Sequence, residues 1–362
     1  MKVKGVLLIA VVAVLNVLII VHPSVALDAA GRGLMLWFHS FLPGVLPFVI
    51  GANVLMALGA VGLLGRFLSP VMRGVFRLPG SGGFAVAMGL VSGYPIGAKI
   101  VCEMRTGGVL NKNEAQRLLG FVNNAGPLFI LGAVAVGMFG SAQLGYLLLV
   151  GHYTGAVALG LLLRIFAGKR GRETPVKPVF AVNQPFGQIL GVAVKNAMET
   201  MVLVGGFIVL FSVISALIMH IAGDVLAGGQ FAVAGVFEMT GGLGLLSENA
   251  VTRHVAAAAG AILGFGGLSI LFQALSFVGK TDLSPTLYVL CKIAHGVLAG
   301  AATFLLYPFF ARSIETAVQP AFAPSATRVL INSSTIFVAT IAVLLAICSV
   351  IFIIGKFRSK RN

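Results

Sequence analysis

From Leu118 to Leu163 the chain carries no Asp, Glu, Lys or Arg. At about 1.5 Å of rise per helical residue, that stretch is long enough to cross a hydrocarbon layer of about 30 Å twice. No aqueous core hides apolar chain on this scale. Of 362 residues, 58% are hydrophobic and 10% charged, where a soluble domain carries roughly a quarter charged residues. Mean hydropathy is +1.04. The solvent is therefore lipid, and the expected fold is an all-α, multi-pass transmembrane protein. Twenty-five Lys and Arg against ten Asp and Glu give +15, which reads as cytoplasmic loops obeying the positive-inside rule and not as a nucleic-acid surface.

Gly5 to Val21, preceded by Lys2 and Lys4, reads as a first span, with a signal peptide cut after Ser24-Val25-Ala26 as its rival. Leu27 to Ser40 is amphipathic, with Trp37 and His39 suited to the interface, and Phe41 to Gly65 is an uncharged second span. The long uncharged run divides near Phe139 to Gln143 into two spans. Basic residues at Arg66, Arg73 and Arg77, and again at Arg164, Lys169, Arg170, Arg172 and Lys177, fall on one side only if Gly80 to Lys99 is re-entrant. Gly80-Ser81-Gly82-Gly83 and Ser92-Gly93-Tyr94-Pro95-Ile96-Gly97 fit such a break, though a kinked glycine-rich span has the same composition.

A similar order follows: amphipathic Val182 to Thr200, uncharged Met201 to Ala222, a Gly-broken Val255 to Gly279, then Ile293 to Ala311 and Val329 to Gly355. Setting Ala87 to Ile96 against Ala261 to Ile270 aligns the two breaks. Paired Gly- or Pro-interrupted segments in matching halves point to a transporter's binding site. The expected organisation is an anchor over 1–27, repeats over 28–167 and 183–328, a basic linker over 168–182, and a last helix with a basic tail over 329–362. An inverted repeat puts the C-terminus outside, whereas Lys356, Arg358, Lys360 and Arg361 place it inside; a single crossing by Gly228 to Glu248 would reconcile the two.

No catalytic motif is present: there is no GxSxG, HExxH or Walker loop, and His22, His39, His152, His220, His254 and His295 have no metal-ligand spacing. Cys102, Cys291 and Cys348 form no CxxC. The expectation is no enzyme, no cofactor and no metal. His152, in mid-span, suits either a functional group or a hydrogen-bonded packing residue. In Asn123-Asn124-Ala125-Gly126-Pro127 the Asn suits an N-cap and the Pro a first helical turn, so a helix starting at depth would aim free N–H groups at an anion. Ser92, Gly93, Tyr94 and Pro95 offer further donors, with Lys99 facing an anion or snorkelling to headgroups. Gly266, Gly267 and Ser269 form the matching break. Glu238 and Gln273, with Glu199 near Lys195, are polar groups for a coupling ion or ordinary caps. The candidate substrate residues are thus Ser92, Gly93, Tyr94, Pro95, Lys99, Asn123, Asn124, Gly126, Pro127, Glu238, Gly266, Gly267, Ser269 and Gln273.

At Gly89 to Lys99, Glu114 to Leu119 and Asn123 to Ile130 the chain resembles the YlbJ (SpoVV) family of sporulation integral membrane proteins. The likeness extends through Leu36-Trp37, Leu42-Pro43, Leu46-Pro47-Phe48, Gly205 to Ile208, Phe237-Glu238 and Gly264 to Ser269, covering roughly residues 28 to 310. That family looks like a branch of the nucleoside-recognition Gate superfamily. The resemblance implies a permease passing dipicolinic acid toward the developing spore, located in the cell membrane or the outer forespore membrane. Dipicolinate, a planar pyridine with two carboxylates, would suit half-helix N-termini, Tyr94 and one or two cations. The expected partners are a small anionic solute and the bilayer, together with a second copy or other sporulation membrane proteins. Nucleoside or other metabolite transport is the alternative substrate reading, and a non-transporting scaffold using the basic loops and Lys112 to Gln116 is the alternative class.

Overall fold

The computed structural model describes residues 3–167, 185–222, 225 and 229–316. Lys2, the basic linker over 168–182, Val182 and the final run from Val329 with its tail lie outside them. The described residues are helical throughout, without a strand. Among them four stretches are long and apolar enough to cross a membrane: Ala142–Phe166, Phe186–Ala222, Arg253–Val278 and Pro285–Ile314. Two sharply bent pairs raise the total to six if each pair counts as one span.

The first bent pair joins α1 (Val3–Val21) to α2 (Pro23–Leu36) at 102°. The apolar side chains of α1 point outward, as lipid requires. A π-helical turn, Trp37–Phe41, leads to α3 (Leu42–Ala57). Trp37 packs against α9 (Phe186–Ala222). It lies on Gly205, and its indole N–H donates to Met201 O at 2.9 Å. The uncharged stretch from Phe41 to Gly65 is not one straight helix: Gly59, at φ +82°, turns the chain by 93° into α4 (Ala60–Val71). A glycine in the left-handed region bears no Cβ strain there.

Two short helices follow, α5 (Gly82–Ser92) and α6 (Ile96–Thr106), eleven residues each. That is about 16 Å apiece, half the hydrocarbon thickness. They form a hairpin: a Cβ at either Gly89 or Gly97 would strike the same Val122 O, so positions on the two helices lie side by side. Next come α7 (Lys112–Val122), an extended break, the π-helix Phe129–Met138, and α8 (Ala142–Leu163). The first of the two spans expected between Leu118 and Leu163 is therefore interrupted in its middle. An Asn111/Glu114 capping box starts α7, each side chain bonding the other residue's backbone N–H at 2.9 Å.

In the second half, α9 (Phe186–Ala222) is one helix of 37 residues, about 55 Å long. It merges the amphipathic and apolar segments read as separate from sequence, because no Gly, Pro or cap interrupts the junction at Thr200-Met201. The stretch after it does not cross once. The helices α10 (Gln230–Phe237) and α11 (Met239–Ser247) have eight and nine residues and fold back at Glu238, bringing Gly242 against Gly235. The crossing that would have reconciled the C-terminal topology is thus not formed. Then follow α12 (Arg253–Phe265), α13 (Gly267–Val278) and α14 (Pro285–Thr316).

The order hairpin, broken helix, long helix therefore occurs twice. Contacts between the halves are reciprocal: α7 meets α14 as α12 meets α8, and α6 meets α13 as α11 meets the π-helix. By this order the break at Gly266-Gly267 corresponds to Asn123–Gly126, and the one at Gly93–Pro95 to Glu238. The sequence alignment of Ala87–Ile96 with Ala261–Ile270 had matched glycine content and not topology. At the centre α14 is pressed against α8 and α12 through small residues. A Cβ on Gly155 would lie 2.7 Å from Ala299 N, and one on Gly264 2.8 Å from Gly296 Cα. Such close backbone approach is how helices associate where lipid supplies no hydrophobic drive.

At one end the halves are clamped. Arg105 grips Asp282 with two hydrogen bonds of 2.9 and 2.8 Å, and the Gln116 amide exchanges hydrogen bonds with the backbone of Ser284 (2.6 and 3.2 Å). The Arg105 guanidinium holds the Asp282 carboxyl below its ordinary value. A depressed carboxyl contributes stability above its unfolded value and loses it as pH falls through the folded one. The thermal-stability advantage of the native protein over Asp282→Asn is therefore expected to be present at neutral pH and to be lost as pH falls below the ordinary carboxylate range. A difference unchanged by acid would show that the pair does not act as a clamp.

Candidate functional site

Four helix breaks meet in two crossings. In the first, α5 ends at Ser92, and Gly93, at φ +79°, starts the turn through Tyr94 and Pro95 into α6. Across it runs the extended segment Asn123–Gly126. A Cβ on Gly93 would sit 2.8 Å from Gly126 N, so the two chains touch backbone to backbone. In the second crossing, Gly267 lies against Gly235 O and Met239 N, carrying the break between α12 and α13 over the tip of the α10–α11 hairpin. Tyr94 links the crossings, its hydroxyl donating to Leu263 O at 2.6 Å.

Each break frees backbone groups that lipid cannot satisfy. Asn124 Nδ2 covers Phe121 O and Val122 O, the last carbonyls of α7. Asn123 Nδ2 donates to Tyr288 Oη at 2.7 Å, and its Oδ1 accepts from Ala98 N at 3.4 Å. Tyr153 Oη points at Leu90 O and Ala125 O (2.9 and 3.2 Å). The helix after the break does begin at Pro127, as the sequence suggested, but neither asparagine side chain is seen to cap it; Asn124 serves the end of α7 behind it and Asn123 the first turn of α6.

Behind this crossing stands Lys292, 1% exposed. Its ammonium donates to Asn123 O (3.1 Å), to His295 Nδ1 (3.2 Å) and to Tyr94 Oη (3.4 Å), and lies 4.9 Å from the Tyr94 ring centre. These partners fix the tautomers. His295 Nε2 faces His152 O at 3.0 Å and must be the N–H, leaving Nδ1 to accept from the lysine. His152 Nε2 accepts from Ala125 N at 3.0 Å, so its proton is on Nδ1, which has no partner. Lys292 thus makes three hydrogen bonds to neutral acceptors, and none of its partners is a carboxylate. A positive charge so placed is compensated only in part, since the desolvation of a buried ion amounts to several kcal/mol.

The second crossing has the opposite polarity. Glu238 caps α11, its Oε2 accepting from Gly241 N at 2.9 Å and from the Thr240 hydroxyl. Gln273 Nε2 donates to Ser269 Oγ at 3.2 Å, while Gln273 Oε1 is buried and unpartnered. Glu238, Thr240, Ser269 and Gln273 line one cavity, closed by Phe41, Phe129 and Ile208, with room for a water-sized occupant. A larger occupant would not fit without movement of the surrounding segments.

Of the residues singled out from sequence, Ser92, Gly93, Tyr94, Pro95, Asn123, Asn124, Gly126 and Pro127 come together at the first crossing, and Glu238, Gly266, Gly267, Ser269 and Gln273 at the second. Lys99 stands apart, 3.7 Å from Glu103 on its own helix, and Glu199 is exposed on α9. Sequence reasoning passed over Lys292 and His295, and left His152 undecided. Beginning the span at Ile293 makes Lys292 look like a flanking charge; a helix beginning at Pro285 puts Lys292 two turns inside, with His295 three residues on, on the same face. Among the described residues, Ser92 Oγ and Asn124 Oδ1 are the other buried side-chain polar atoms without a partner.

Among known proteins, the chain is 35% identical over 340 residues to the sporulation integral membrane protein YlbJ of Bacillus subtilis (strain 168), an alignment covering 84% of this chain and 83% of that protein. No protein-family model and no solved structure matches the chain.

The first crossing generates a direct expectation. Gly93→Ala adds a methyl where the backbone of Gly126 already stands and where φ is positive, a combination costing about 1–3 kcal/mol. Thermal unfolding of the purified protein in detergent should show a clear loss of stability, whereas Gly31→Ala, at a site open within 4 Å, should be neutral. Equal behaviour of the two would mean that the crossing is not tight.

Proposed function

The chain belongs to the family of the sporulation integral membrane protein YlbJ, and from that premise we propose that it is a permease for a small organic anion, dipicolinate by family resemblance, in a membrane of the sporulating cell. The observation that carries this reading is Lys292, a buried ammonium with only neutral partners, set where two broken helices cross. Broken helices at depth are tolerated where they line a solute path. A solute carboxylate supplies the charge that Lys292 lacks, and Ser92 Oγ and His152 Nδ1–H are unpartnered donors of the same region. The two halves act as related repeats of Gate type, with the crossings at their junction.

One observation favours a second reading. The cavity at the second crossing presents acceptors, Glu238 and Gln273 Oε1, which suit the hydroxyl and amino donors of a nucleoside.

Counterflow of radiolabelled dipicolinate in proteoliposomes, run beside uridine, separates the two. The anion reading expects saturable dipicolinate exchange, lowered more than about tenfold by Lys292→Gln, because removing one member of a buried charge contact typically has that effect or a larger one. Asn124→Ala should also impair it. Exchange of uridine alone would move the assignment to a nucleoside carrier. Exchange of neither, with normal spores from Asn124→Ala cells, would leave a scaffold.

A further inference from the structure

The geometry points to a binding site for a small monovalent cation, Na⁺ as the probe, at the second crossing, held by Glu238 Oε1, Gln273 Oε1 and Ser269 Oγ. The two crossings are alike in backbone arrangement. Each gathers the C-terminal ends of two short helices beside the starts of the two that follow: α5 and α7 beside α6 and the helix from Pro127 in the first, α10 and α12 beside α11 and α13 in the second. Helix C-termini present free carbonyls and partial negative charge. In the first crossing that charge meets a resident cation, Lys292, donating to Asn123 O. Its counterpart in the second half of the pair is absent. His152 and His295 are equally far from the starts of their helices, Ala142 and Pro285, and by the same register the residue on α8 matching Lys292 is Leu149.

The second crossing holds a carboxylate, at the start of α11, where the first holds an ammonium. Glu238 is 6% exposed; the bonds from Gly241 N and the Thr240 hydroxyl both go to Oε2 and not to Oε1. No lysine, arginine or histidine is among its hydrogen-bond partners. Gln273, 1% exposed, lines the same cavity and leaves Oε1 without a donor. Its Nε2 is turned toward the Ser269 hydroxyl. One carboxylate, one amide oxygen and one hydroxyl oxygen around a water-sized space form an all-oxygen set that suits a hard cation. A single negative charge is neutralised by a single positive one. Discontinuous helices whose C-terminal ends converge are where coupling ions bind in transporters.

The purpose of such an ion, coupling to solute movement, rests on the permease reading; its binding does not, and is measured without flux. The full-length protein in detergent is titrated with NaCl against choline chloride at constant ionic strength, following thermal unfolding and ²²Na⁺ binding. Wild type is expected to show saturable Na⁺ binding and a rising unfolding temperature. Glu238→Gln, which keeps the cap acceptor, and Gln273→Met, which keeps the volume, should each raise the half-saturating concentration about tenfold or more. Either variant suffices should the other fail to fold. Absence of Na⁺ binding to wild type, binding undiminished in both variants, or stabilisation by acid alone would each overturn the assignment. Dipicolinate exchange that fails while Na⁺ binding persists would overturn the permease reading and leave the ion site standing.

Discussion

In lipid a backbone N–H or C=O that leaves a helix finds no water, and each one left bare costs several kcal/mol. Four interrupted helices therefore impose a debt on the whole molecule, and much of its polar chemistry is arranged to settle it. Asn124 covers the end of α7, Tyr94 reaches across to Leu263 O, Tyr153 covers Leu90 O, and Ala125 N finds His152. Among the described residues, the buried side-chain atoms without a partner belong to residues at the breaks or near them: Ser92, Asn124, His152 and Gln273.

Electrostatics then divides the two crossings. A lysine near one and a glutamate at the other make them unequal in charge although their backbones are arranged alike. A ligand set that treats both as the same kind of site is excluded by Coulomb's law, since a charge attracted to one is repelled by the other. The small-residue packing of α14 against α8 and α12 holds this division in place, because Lys292 and His295 sit on the same helix that presses on Gly155 and Gly264.

How far the sequence foretold this depended on whether a feature has a local signature. Lipid as solvent followed from charge depletion, and the breaks at Gly93–Pro95 and Gly266-Gly267 followed from residues that cannot continue a helix without distortion. Pro127 was legible as a first-turn residue. The break at Glu238 was not, since neither Gly nor Pro occupies it; the chain turns because a carboxylate caps the next helix. The continuity of α9 was hidden by a change from amphipathic to apolar composition that a helix can span without bending. Lys292 was missed for a subtler reason. A lysine at the edge of an apolar run belongs to the interface by default, and only the length of α14, set by packing against two other helices, draws it inside.

The seam between α8 and α14 has a register. Thr303 rests on Gly151 and Ala299 on Gly155, four residues apart on each antiparallel helix. Sliding α14 by one turn in one direction would bring Ala299 opposite Leu159; in the other it would bring Thr303 opposite Leu147. Either shift drives a side chain into a leucine where a hydrogen atom stood before, so the seam has one comfortable setting and works as a ratchet stop. The two long central helices move together or separate; they do not glide past one another.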